Sequence, residues 1–160
     1  GDRRGGNLGA ADPRPYLRAM MTPHMPVELL VLTLAALLQC VQFGLMSLSA
    51  NLDVGPKRTM SPRDPQRLGK PLAEMLGVKS GRLYRAFNNM FEALILFTIA
   101  ALVITLTGQS TIVTQSAAWI FLAARIAYIP AYYFGLAPGR SVIWIIGFLA
   151  TLTLLIAALF

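Results

Sequence analysis

Three stretches of the chain, residues 29–52, 93–124 and 141–160, contain no Asp, Glu, Lys or Arg. A run of roughly 20 apolar residues is long enough, as a helix, to cross a hydrocarbon core of about 30 Å. The middle stretch is interrupted by Gly108-Gln109-Ser110-Thr111, a turn signal, so it reads as two crossings. Charged residues make up 13% of the chain, against about 25% in a soluble domain. A soluble globular enzyme and a disordered protein are both excluded on this ground. The net charge of +7 does not point to nucleic acid, because the basic residues flank the apolar runs instead of forming a basic domain of their own. The single cysteine, Cys40, lies inside an apolar run, so no internal disulfide is possible, and no metal-ligand spacing occurs.

The organisation follows from these runs. Residues 1–25 form a polar Gly/Pro/Arg-rich tail without apolar periodicity, expected to be disordered, with Met20, Met21 and Met25 as alternative starts. It holds the only histidine, His24. Residues 26–160 form one all-α membrane domain, a four-transmembrane-helix bundle with helices expected at about 26–50, 81–107, 112–134 and 140–159. The first apolar run exceeds the 7–15 residues usual in a signal peptide, and further spans follow, so it reads as a retained helix. Residues 51–81, with Pro56, Pro62, Pro65 and Pro71, predict an irregular connection with a short helical turn at Leu72–Leu76. Pro130 predicts a kink in the third helix.

Orientation is read from the basic residues. Lys57, Arg58, Arg63, Arg67, Lys70, Lys79, Arg82 and Arg85 lie in or just after the first connection, whereas the 108–116 turn has none. The positive-inside tendency then places the first and third connections in the cytoplasm and both termini outside. Arg3, Arg4, Arg14 and Arg18 in the tail pull the other way.

The chemistry is concentrated where the second helix enters the membrane: Arg82-Leu83-Tyr84-Arg85-Ala86-Phe87-Asn88-Asn89-Met90-Phe91-Glu92. At about 100° per residue, Arg82, Arg85, Asn89 and Glu92 fall within an arc of roughly 80°. A polar stripe on an apolar helix must face protein, water or ligand, since a charge facing lipid costs several kcal/mol. Two readings stand: interfacial anchoring by the arginines with Glu92 paired internally, or a binding face for an anion. On the third helix Arg125, Tyr128 and Tyr132 share a face, and Arg125 lies deep enough to need a partner, for which Glu92 is the economical choice. Arg140-Ser141 opens the fourth helix. Arg82, Arg85 and Arg140 offer fork-shaped donors to carboxylates, Asn89 offers a donor and an acceptor, and Glu92 can accept from an ammonium. That inventory matches a small zwitterionic peptide with two carboxylates. A cationic group beside its thiol would favour the thiolate.

At these residues the chain resembles the MAPEG family, membrane-associated proteins of eicosanoid and glutathione metabolism. The resemblance covers about Pro26–Phe160 and rests on R-x-x-R-A-x-x-N-x-x-E (Arg82, Arg85, Ala86, Asn89, Glu92), on R-x-x-Y-x-x-x-Y (Arg125, Tyr128, Tyr132) followed by Arg140-Ser141, and on four spans with a long first connection. It implies a left-handed four-helix bundle assembling as a homotrimer, with glutathione as co-substrate bound between subunits near the cytoplasmic side. Arg82, Arg85, Asn89, Glu92, Tyr128, Tyr132 and Ser141 would then hold glutathione, and Arg140 would be the catalytic residue that stabilises its thiolate. The implied function is a glutathione-dependent transferase or peroxidase acting on small lipophilic electrophiles delivered by the surrounding lipid, in a bacterial inner membrane. The chain departs from the family pattern in three places: the first helix has no basic residue, Ile95 stands where a proline often follows the glutamate, and Tyr132 and Arg140 are one residue closer than in some synthases. A non-catalytic lipid-binding or scaffolding protein of the same fold is the alternative, and a small exporter using Glu92 as a proton site is a third reading.

Overall fold

The structure is a computed structural model and describes residues 25–62, 64, 66 and 69–160. Of the tail expected to be disordered, residues 1–25, all but Met25 lie outside the described residues, as do Arg63 and Arg67. The elements are α1 (Val27–Val54), α2 (Pro56–Thr59), α3 (Leu72–Met75), α4 (Val78–Thr107), α5 (Ile112–Phe134) and α6 (Gly139–Ala157), with no strand among the described residues.

Four of these helices, α1, α4, α5 and α6, are long and apolar enough to cross a membrane. The protein is an integral multi-pass membrane protein. Its exterior carries the apolar side chains a soluble fold would bury: Leu37, Val41, Ile95, Ile99, Ile120 and Leu149 are all exposed. The helices differ in length for a physical reason. At 1.5 Å per residue α6, with 19 residues, spans about 28 Å, whereas α4, with 30, spans about 45 Å. The excess of α4 over a hydrocarbon core of about 30 Å leaves room for its first turns, which carry Lys79, Arg82 and Arg85, to lie at the headgroup level.

Both ends of the first connection differ from the sequence expectation. The first helix runs past Ala50 to Val54 and stops at Gly55, whose φ of 88° ends the helix. The next long helix begins at Val78 instead of Ser80-Gly81, because the Asp53 carboxylate accepts a hydrogen bond from the Gly77 N–H at 2.8 Å. A carboxylate there satisfies a donor at the helix start and favours the positive end of its dipole. Ser49 and Ser80 share a hydroxyl hydrogen bond, and Thr59 donates to the Asn51 side chain, so the connection is tied back to α1. The third long helix passes through Pro130 without a break in its helical run.

In the bundle, α1 packs mainly on α4 and α6 mainly on α5, and smaller contacts join α4 to α5, α1 to α5 and α6 to α4. Lipid tails are as apolar as leucine, so close backbone approach has to hold such helices together. The interior is accordingly rich in small residues: Ala35, Ala86, Ala100, Ala101, Ala118 and Gly147 are buried. At its centre the Phe97 and Phe121 rings stack 4.1 Å apart and 4° from parallel, both fully buried.

The far end of the bundle, where α4 turns into α5, is locked by a residue the sequence reading did not single out. Glu28, in the first turn of α1, is fully buried. Its carboxylate accepts from Ser110 Oγ at 2.9 Å and from Thr114 Oγ1 at 2.6 Å. Thr114 also forms a capping box with Thr111, so the carboxylate stands at the N-terminus of α5. Glu28→Ala removes the acceptor shared by the buried Thr114 hydroxyl and the exposed Ser110 hydroxyl and is expected to lower the thermal stability of the detergent-solubilised protein by on the order of 1–2 kcal/mol. Glu28→Gln, which keeps an acceptor, is expected to lose less. Melting curves of the two variants check the order.

Candidate functional site

The opposite end of the bundle gathers most of the residues the sequence singled out. Arg125 of α5 is 3% exposed, and its Nη1 donates to Asn89 Oδ1 at 3.0 Å. Asn89 Nδ2 in turn donates to Glu92 Oε2 at 3.4 Å. The expected direct Glu92–Arg125 ion pair is therefore not formed: no contact within 4.0 Å links the two charges, and the Asn89 amide stands between them. The reason is geometric. Arg125 faces inward from α5 and Glu92 faces outward from α4, so only the side chain one turn back on α4 can reach both. The relay leaves Glu92 exposed with one weak donor on it. Arg125 Nε has no hydrogen-bond partner, so the guanidinium retains donor capacity.

Aromatic faces position the remaining cations. Arg140, from the first turn of α6, lies 4.9 Å from the Tyr132 ring centroid, and Arg85, from α4, lies 6.0 Å from it. Tyr128 meets Tyr132 edge-on at 5.3 Å, and the Arg125 guanidinium lies 5.7 Å from the Tyr128 ring centroid. A guanidinium over an aromatic face is attracted by the ring quadrupole and held in orientation without losing its donors. The result is a continuous series from Arg85 and Arg140 through Tyr132, Tyr128 and Arg125 to Asn89 and Glu92. Two cavities open onto it. One of about 410 Å³ is lined by Tyr128, Tyr132, Arg140 and Ser141, the other of about 160 Å³ by Asn89, Glu92 and Arg125.

Arg82 is employed differently. Its Nη1 donates to the Tyr133 carbonyl at 3.2 Å, and its guanidinium covers Gly135, where a Cβ would come within 2.6 Å of it. Gly135, at φ 70°, ends α5. Arg82 thus satisfies a carbonyl at a helix C-terminus, where a cation also complements the dipole.

Two contributors escaped the sequence reading. Trp144 lines both cavities, and with Phe148 and Thr151 it continues the stripe begun by Arg140 at helical spacing. That periodicity was legible, although tryptophan at this level reads first as an interfacial residue. Gly147 leaves no such trace. A Cβ there would lie 2.8 Å from Arg125 Nη2, so its absence is what lets α6 close over the buried guanidinium.

The MAPEG family profile matches residues 31–160, which contain every residue of this series. The chain belongs to the MAPEG family. No curated protein and no solved structure matches it. In this MAPEG chain the helix-two and helix-three motif residues converge on one another across α4 and α5, and the start of α6 closes the arrangement.

Gly147→Ala is expected to push the Arg125 guanidinium off Asn89 and to destabilise the bundle by about 1–3 kcal/mol. Because the two sites act through one contact, the loss in a Gly147→Ala, Asn89→Ala double variant is expected to fall short of the sum of the single losses. Melting of the four proteins measures this.

Proposed function

We propose that this chain is a glutathione-dependent transferase or peroxidase that acts on lipophilic electrophiles, working as a homotrimer in a bacterial inner membrane with both termini outside the cytoplasm. The observation that carries the reading is the placement of Arg85 and Arg140 on the Tyr132 ring beside the Arg125–Asn89–Glu92 relay.

The donor set suits a zwitterionic tripeptide. Arg85 offers a planar pair of donors for a carboxylate, and Glu92, with only the Asn89 amide on it, can accept from an ammonium. Arg140, packed on Tyr132 at the rim of the 410 Å³ cavity, supplies a fixed positive charge. A thiol placed beside it loses its proton more readily, because the cation favours the thiolate. The sulfur then forms a bond to the electrophilic carbon and the leaving group departs with the electron pair; with a peroxide, the same thiolate takes one oxygen, the O–O bond breaks as the alkoxide leaves, and a second glutathione converts the resulting sulfenic acid to the disulfide and water. Ser141 and Tyr128, which line the cavity, supply hydroxyls beside the reacting atoms.

The exposure of the site supports assembly with further copies. Arg85 and Glu92 are exposed on the side of a helix that enters the bilayer. Glu92 lies seven residues beyond Arg85, about 10 Å deeper, where a carboxylate facing lipid is costly. A neighbouring copy over this face removes that cost and encloses the ligand.

Titration of the detergent-purified protein with glutathione tests the proposal. Arg85→Ala is expected to weaken binding at least about tenfold, the loss of a charged hydrogen-bonded pair. Arg140→Ala is expected to retain binding within a few-fold but to raise the pH at which thiolate ultraviolet absorbance appears by roughly one unit or more. Absence of saturable glutathione binding in the unmodified protein overturns the proposal in favour of a non-catalytic lipid-binding role. Chemical crosslinking in native membranes is expected to stop at three copies.

A further inference from the structure

A different face of α5 borders a cavity that the Arg85–Arg140 series does not use. It lies between the C-terminal part of α1, the start of α4 and the end of α5, and has a volume of about 400 Å³. Ligand pockets run from about 300 to 1,000 Å³, so it can take part of a molecule of substantial size. Its walls are Leu45, Leu48, Leu83, Ile129 and Phe134, with Ser49 and Tyr133 as the polar contributors. Leu48 and Phe134 are 60% and 64% exposed, so the cavity is a groove that opens sideways.

Its level in the membrane follows from the helix ends that form it. Leu52 on its wall directly precedes Asp53, Leu83 is in the second turn of α4, and Phe134 is the last residue of α5. The groove therefore runs from the headgroup boundary into the acyl region. A cation stands at its mouth. Lys79 Nζ lies 5.4 Å from the ring centroid of Tyr133, which lines the groove. Among the described residues Lys79 has no carboxylate within 4.0 Å. Asp53 is engaged by the Gly77 N–H, and Arg82 by the Tyr133 carbonyl. Lys57 and Arg58 are exposed on the same connection.

An apolar groove open to lipid, with an ammonium at its headgroup end that forms no ion pair among the described residues, is complementary to one chemical class. A soluble anion has no use for the groove, and a zwitterionic lipid brings its own cation to Lys79. We propose that the α1–α4–α5 groove is a binding site for an anionic phospholipid, one acyl chain lying along Leu48, Leu83 and Ile129 and the phosphate on Lys79. This site is separate from the glutathione site and stands or falls without it.

The test uses the full chain, purified in detergent and stripped of lipid, with phosphatidylglycerol and phosphatidylcholine of identical acyl chains as probes. Retention is read by native mass spectrometry. The unmodified protein is expected to retain phosphatidylglycerol roughly fivefold better than phosphatidylcholine, the preference one basic residue gives at an anionic surface. Lys79→Gln is expected to erase that preference, and Leu48→Trp, which fills the groove, to weaken retention of both lipids. Both positions are exposed, and melting curves verify that the variants remain folded. Equal retention of the two lipids by the unmodified protein, or a preference that survives Lys79→Gln, overturns the proposal. So does retention that is unaffected by Leu48→Trp.

Discussion

A guanidinium placed inside a bilayer-spanning bundle has to be satisfied by protein, and the arrangement around Arg125 follows from that constraint. Facing lipid, the charge would cost several kcal/mol. Turned inward from α5, it needs an acceptor on one neighbour and room on another. Asn89 of α4 supplies the acceptor and Gly147 of α6 the room. The same contact therefore sets the approach of three helices. Its consequences reach the surface: Asn89, anchored by Arg125, spends its amide N–H on Glu92 and so orients a carboxylate that otherwise would be free to swing.

The two ends of the bundle use buried polarity for different purposes. At the far end Glu28 is enclosed and accepts from Ser110 and Thr114, which fits a tie between α1 and the tight α4–α5 turn. At the near end the charges are only partly consumed. Arg82 caps α5 and Asp53 caps α4, both closing the ends of helices. Arg85, Arg140 and Glu92 keep exposed or half-exposed groups, oriented by aromatic rings or by Asn89 and not cancelled by opposite charges. Between the two ends lies a core of alanines around the Phe97–Phe121 stack, which gives close packing where water supplies no driving force.

Much of this was legible in the residue order. Charge-free runs marked the spans because charge is expensive in hydrocarbon, and Gly108 marked a turn because it adopts the left-handed conformation that ends its helix. The spacing of Arg85, Asn89 and Glu92, and of Arg125, Tyr128 and Tyr132, marked two polar faces because the helical period is fixed. The chain ends of α1 and α4 were misjudged, since the Asp53–Gly77 hydrogen bond that sets the start of α4 joins residues far apart in sequence.

What the sequence by itself determined is the set of helices, their membrane setting and the faces that carry charge, all of which depend on local periodicity and on the cost of burying ions. The tertiary structure alone decided how those charges are shared. Equal depth made Glu92 and Arg125 look like a pair, but the rotation of α4 against α5 interposed Asn89. The angular stripe put Arg82 beside Arg85, yet the end of α5 drew it away to a carbonyl. Rotation and approach of helices are fixed by packing between distant residues, Gly147 against Arg125 above all, and no one-dimensional period encodes them.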